Sequence, residues 1–236
     1  MLMDPVTIRW PRYLWDPISR ANFDPRTVTY YSSEEEGEAR FQPADILELS
    51  GAPKDSKVTC SNLPNEVTRI TVESDIFVEP LQMTIYRDGG ALVVDLVYLN
   101  LKNAQGGIGA RIVLSAIRAA RRLGFARLNA RAIASRDELT RTGQHWAGAI
   151  FVGKLGFDSP LSESIIQTLP PELSAVNRLQ QLLSVPHGAE WWHANARPLL
   201  VNFELAADSP NLNILRRYMV KKRLRIFQCF TRRNSK

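Results

Sequence analysis

The stretch that most constrains this chain is Ala91-Leu92-Val93-Val94-Asp95-Leu96-Val97-Tyr98-Leu99, in which Asp95 is the single charged residue. A strand with one wet face alternates apolar and polar residues, so a run this short and this apolar predicts a strand covered on both faces. Such a strand needs a layer of structure on each side, which points to an α/β architecture. Val67-Thr68-Arg69-Ile70-Thr71-Val72 and Leu81-Gln82-Met83-Thr84-Ile85-Tyr86 precede it and both alternate. Arg87-Asp88-Gly89-Gly90 between the second and third stretch is a hairpin turn signal, so three successive strands are expected. After Lys102 to Ala110 comes a helical pattern, with Ile112, Val113, Ala116, Ile117 and Ala120 on one face and Arg111, Arg118, Arg121 and Arg122 on the other. Gly124 reads as its C-cap. Ala126 to Ile133 alternates again, and a strand, a helix and a strand in this order predict a right-handed crossover with this strand parallel to Leu92–Leu99.

The first 60 or so residues are broken by Pro5, Pro11, Pro17, Pro25, Pro43 and Pro53 and are expected to wrap the body with little helix. Ser33-Glu34-Glu35-Glu36 reads as a solvated turn. Trp10, Tyr13 and Trp15 either pin this segment down or form an exposed patch for a partner. Beyond the crossover, Arg136 to Arg141 is a polar connection, and Trp146 to Leu155 is a helix ended by Gly156. The remainder holds Pro170-Pro171, a short helix near Leu173–Leu183, the pair Trp191-Trp192, a strand Leu199–Leu205 and a helix with Ser209 as N-cap and Pro210 at its first position. These textures define an N-terminal segment over 1–65, a core over 66–160 and a C-terminal extension over 161–236 that completes the sheet, together one structural domain.

At 236 residues and 44% apolar, the chain can bury a core without disulfides or metal staples. Cys60 and Cys229 are too few for a disulfide framework and read as reduced thiols. His187 and His193 lack the spacing of a metal site, so no metal is expected. The start has no basic segment leading into an apolar run, and no stretch approaches the roughly 20 apolar residues of a membrane span, so a cytoplasmic protein with no membrane partner is expected. A net charge of +6 attracts polyanions, both nucleic acid and a phosphorylated cofactor.

Gly106, Gly107 and Gly109 stand between the buried strand and the start of a helix. Glycines there permit close backbone approach, and the first-turn N–H groups with the helix dipole hold an anion, so these residues and Ala110 form a diphosphate cradle. A Rossmann reading needs the glycines early in a strand–helix repeat with an acidic residue about 20 positions on, and a phosphate-loop reading needs a closing Lys-Ser/Thr pair. Neither pattern is present.

With these residues the chain resembles the GNAT superfamily of acyl-CoA-dependent N-acyltransferases, whose cofactor motif is a strand, an Arg/Gln-x-x-Gly-x-Gly/Ala loop and a helix. Gly107-Ile108-Gly109 fits the glycine part, and Lys154-Leu155-Gly156-Phe157 is similar to the ending of the family's next helix. The resemblance covers about Thr68 to Pro160. It departs from the family at Ala104, which takes the Arg/Gln place with Gln105 one position later, and at Val152, where many members carry a tyrosine general acid. The resemblance implies a mixed, mainly antiparallel sheet whose central parallel strand pair splays around the cofactor, flanked by helices. It implies acetyl-CoA or another acyl-CoA as donor, with the thioester held at Val97, Tyr98 and Leu99 and the diphosphate at Gln105, Gly106, Gly107, Ile108, Gly109, Ala110 and Arg111. An amine acceptor would attack the thioester directly.

For the base, Asp95 comes first, because an acid within an apolar strand is costly unless it is paired or functional; its structural alternative is an ion pair with Arg127 or Arg131. Glu138 and His145 in the polar connection follow. The acceptor amine, on a small molecule, a protein or an aminoacyl-tRNA, is unidentified. The basic end of the chain, with Arg216, Arg217, Lys221, Lys222, Arg223, Arg225, Arg232 and Arg233, could also bind nucleic acid or tRNA. A GNAT-like scaffold or nucleic-acid-binding protein without catalysis is the alternative reading.

Overall fold

The computed structural model describes residues 22–33, 41–102, 107–132 and 148–222. They pack as two compact units, one of residues up to Ala126 together with those from Met219, the other spanning Arg127–Tyr218. This division follows packing, whereas the segments 1–65, 66–160 and 161–236 follow sequence texture.

In the first unit, β1 (Thr29–Ser33), β2 (Lys57–Leu63), β3 (Val67–Glu73), β4 (Leu81–Asp88) and β5 (Ala91–Tyr98) lie in that order in a mixed sheet. β1 runs parallel to β2, and each later neighbour is antiparallel. The three expected strands are β3, β4 and β5, with Gly89 and Gly90 both at positive φ (56° and 83°) in the two-residue turn between the last two. Pairing Cys60 with Ile70, Ile70 with Met83 and Ile85 with Val94 puts the apolar half of the alternation on one buried face. Burying each such side chain fully stabilises the fold by about 1.5–3 kcal/mol. The other face carries Thr59, Arg69, Thr71, Gln82, Thr84 and Tyr86, none of them buried. β5 differs, since Val93 and Val94 point to opposite faces and both are fully buried.

The core face is covered by α1 (Pro43–Ser50) and α2 (Ile108–Arg122). Ile46, Leu47 and Leu49 of α1 and Ile112, Val113, Ala116 and Ile117 of α2 are buried. A charged clamp joins the two helices: Glu48 meets Arg118 at 2.7 Å and Arg122 at 2.8 Å, Asp45 meets Arg122 at 2.7 Å, and the Ser115 hydroxyl donates to the Glu48 carbonyl at 2.8 Å. α1, β1 and the start of β2 thus lie within the proline-broken first 60 residues. Pro43 occupies the first turn of α1, where its missing N–H is no loss, so it starts a helix instead of breaking one. At the end of α2, Gly124 takes a positive φ of 79° as expected, and the Ala126 N–H donates to the Leu92 carbonyl at 2.9 Å, bringing the chain back beside β5.

In the second unit, β6 (Arg127–Ala132) pairs antiparallel with β7 (Leu199–Glu204). Helices α3 (Gly148–Lys154), α4 (Glu163–Ile166), α5 (Leu179–Ser184), α6 (Gly188–Asn195) and α7 (Pro210–Lys221) accompany them, with α7 running past Tyr218. Phe157 and Phe203 meet edge to face at 5.3 Å between centroids, and Trp192 is fully buried. The Asp158 carboxylate accepts the backbone N–H groups of Ser159 and Gln180 and the Arg178 Nε, which caps the start of α5. Ser209 caps α7 as expected, accepting the Asn211 N–H at 3.2 Å.

The chain is thus an α/β protein built on a mixed sheet with helices packed on it. The expected parallel pairing of β5 with β6 would join the two units and belongs with the proposal below. Trp10, Tyr13, Trp15, Glu34 to Glu36, Cys229 and the residues from Arg223 on lie outside the described residues. Among the described residues no helix is long and apolar enough to cross a membrane.

Candidate functional site

The end of β5 is where the regular ladder breaks. Leu96 pairs with Met83, but Tyr98 pairs with Gln82, so two steps on β5 face one on β4 and Val97 is the extra residue. A bulge takes its extra residue out of the ladder and re-aims the strand, and such irregularities gather beside active sites. Val97 is 44% exposed, although Val93, Val94 and Leu96 of the same strand are buried. Leu99 follows, half-buried, just past the strand. The segment beyond is braced by the β3–β4 loop, where Val78 N–H donates to the Asn100 carbonyl at 3.0 Å and Lys102 N–H to the Ile76 carbonyl at 2.9 Å.

Gly107 then caps α2 with φ 69°, a left-handed conformation that favours glycine. Behind it, Ile108 is half-buried and Gly109, Ala110 and Arg111 are buried. Arg111 curls back to donate from Nη1 to the Gly107 carbonyl at 3.2 Å. The first turn contains no acidic residue. A guanidinium at the positive end of a helix dipole, without a carboxylate in that turn, makes this end attractive to an anion. Gln105, Gly106 and Ala104 lie outside the described residues.

Asp95 sits half-buried on the polar face of β5, opposite Thr84, and its Oδ1 accepts the Tyr86 hydroxyl at 3.1 Å. Nothing in the residue type of Tyr86 marks it as part of a site, yet the two-residue Gly89-Gly90 turn predicts its place: pairing Asp88 with Ala91 sets Tyr86 against Val93, diagonal to Asp95. Glu138 and His145 lie outside the described residues. The bulge at Val97 left no sequence signal, because nothing in Leu96-Val97-Tyr98 distinguishes an extra residue from a paired one.

The second motif is built differently. Leu155 and Phe157 are fully buried and Lys154 is exposed. Gly156 takes φ 98°, and a Cβ on it would lie 2.6 Å from the Asn211 carbonyl oxygen. The Asn211 amide donates to the Gly156 carbonyl at 2.6 Å, and the Gln180 amide donates to the carbonyls of Gly153 and Phe157 at 2.8 and 2.6 Å. Val152, at the place of the family's tyrosine, is buried and offers no proton.

A further feature, missed in the sequence, is an open cleft of about 390 Å³ along the β3–β4 loop, lined by Asp55, Lys57, Glu73, Asp75, Phe77 and Glu79 among others. Lys57 and Glu73 pair there at 3.7 Å, both half-exposed. Cys60 is a free, buried thiol whose pKa burial pushes up, so it is not primed as a nucleophile. His187 is exposed and lies 3.2 Å from Glu190. Among the described residues no group of three or more His, Cys, Asp or Glu could hold a metal ion. No family model, curated protein or solved structure matches the chain.

Proposed function

We propose that this chain is an N-acyltransferase that moves an acyl group, most simply acetyl, from coenzyme A to an amine. The observation that carries the reading is the bulge at Val97, because it frees backbone groups at the strand end where the GNAT resemblance expects the thioester. The acid-free, arginine-backed start of α2 supports it by offering N–H groups and positive potential to a diphosphate. A splayed parallel pair of β5 and β6 is part of the proposal. In it, the backbone at Val97 to Leu99 would orient the thioester carbonyl, Asp95, held by Tyr86, would take the proton of the attacking amine as the C–N bond forms, and the C–S bond would break with coenzyme A leaving as its thiolate, protonated by solvent. The carboxylates along the β3–β4 loop favour an acceptor that is cationic before it reacts.

One observation favours a second reading, a GNAT-like scaffold without catalysis: the family's proton donor position holds the buried Val152. The two separate in a transfer assay, in which the purified chain, acetyl-CoA and a panel of primary amines are followed by thiol release. The transferase reading expects turnover, and Asp95→Asn should lower it by roughly 10²-fold while acetyl-CoA affinity holds. Binding of acetyl-CoA without turnover across the panel would favour the scaffold. Turnover unchanged in Asp95→Asn would move the base to Glu138 or His145.

A further inference from the structure

The outer face of α7 is cationic and exposed. Leu212, Leu215 and Met219 form its inner stripe and are all but fully buried. Asn213, Arg217, Val220 and Lys221 form its outer stripe and are exposed, followed by exposed Lys222, while half-buried Arg216 flanks them with its Nη1 on Asn213 Oδ1 at 2.9 Å. Arg217, Lys221 and Lys222 form no ion pair among the described residues. Arg217 and Lys221 stand one turn apart on the same side, where like charges repel. The helix dipole accommodates cations in the last turn but does little for Arg216 and Arg217 farther in.

The sequence sharpens this asymmetry. Residues 209–236 hold nine of the 30 basic residues and none of the 24 acidic ones, so the other 208 residues carry 21 basic against 24 acidic, a net −3. The positive charge of this protein therefore belongs to one stretch, in which aromatic residues Tyr218, Phe227 and Phe230 are interleaved. We infer that the exposed face of α7 is a docking surface for the phosphodiester backbone of a nucleic acid. Charge complementarity supplies the attraction, and the spacing of Arg217 and Lys221 along one side suits a chain of evenly spaced phosphates. A membrane surface fits less well, because an interfacial helix must lay an apolar stripe into lipid and the apolar stripe of α7 is already buried in the fold. The inference does not depend on acyl transfer.

The test is binding of the full chain to a fluorescent 30-nucleotide single-stranded RNA, by anisotropy at several salt concentrations, beside vesicles of phosphatidylserine and phosphatidylcholine. Binding is expected to weaken steeply with salt. R217Q/K221Q should weaken it tenfold or more at low salt and flatten the log–log salt slope by about 1.4, two contacts at about 0.7 each. Both side chains are exposed, so the variant should keep the wild-type melting temperature. R26Q/K57Q removes the same charge from exposed sites elsewhere and should leave RNA binding near wild type. The inference is overturned if the wild type does not bind RNA at low salt, if both double variants weaken binding equally, or if the chain binds the anionic vesicles but not RNA.

Discussion

Gly107 and Gly156 look alike in the sequence, each a glycine at a helix boundary within a motif of the same resemblance, yet their surroundings differ. Gly156 is packed shut: φ is 98°, a Cβ would strike the Asn211 carbonyl at 2.6 Å, and its own carbonyl is tied to the Asn211 amide. Gly107 is exposed, and the nearest atom a Cβ would meet is the tip of the Arg111 side chain at 3.0 Å. One glycine is explained by the fold around it. The other has a conformational reason for being glycine, and among the described residues a Cβ on it would meet only a flexible side-chain tip. The Lys-Leu-Gly-Phe motif is therefore weaker support for cofactor binding than its sequence suggests, and the glycine loop is stronger.

The largest effect should come from closing the packed site. Gly156→Ala combines a left-handed backbone with a backbone clash and should cost roughly 3 kcal/mol or more, read as a lower urea midpoint. A variant as stable as wild type would mean that Gly156 is not held against α7. Asn211→Ala removes only the amide that serves the same carbonyl and should cost about 1–2 kcal/mol by the same measurement. A larger loss than that of Gly156→Ala would reverse the assignment, making the hydrogen bond the main restraint and the close approach secondary.

The strands and helices that were legible in the sequence are those in which one periodic pattern decides the matter. β3 and β4 alternate, β5 is apolar apart from Asp95, α2 has the helical period, and Ser209-Pro210 marks the start of α7. α1 was hidden because proline reads as a breaker unless its position within the first turn is known, and Pro43 holds that position. In the site, the glycine at the head of α2 could be read directly, since positive φ and residue type are coupled. Tyr86 beside Asp95 was readable only through hairpin register. The Val97 bulge was not readable at all, because register shifts arise from the pairing of two strands and neither strand records them alone.

The most direct test of the central claim is the melting temperature of wild type and Gly107→Asp, each with and without coenzyme A at millimolar concentration. A ligand that binds only the folded state at about 100 times its Kd stabilises it by about 2.7 kcal/mol, which for a chain of this size is a rise of roughly 5–10 °C. Wild type is expected to show that rise. Gly107→Asp should melt slightly lower than wild type, because a side chain at positive φ costs about 1 kcal/mol, and should show no response to coenzyme A, because its carboxylate repels the diphosphate at the start of α2. Equal shifts in both proteins, or none in wild type, would contradict the claim.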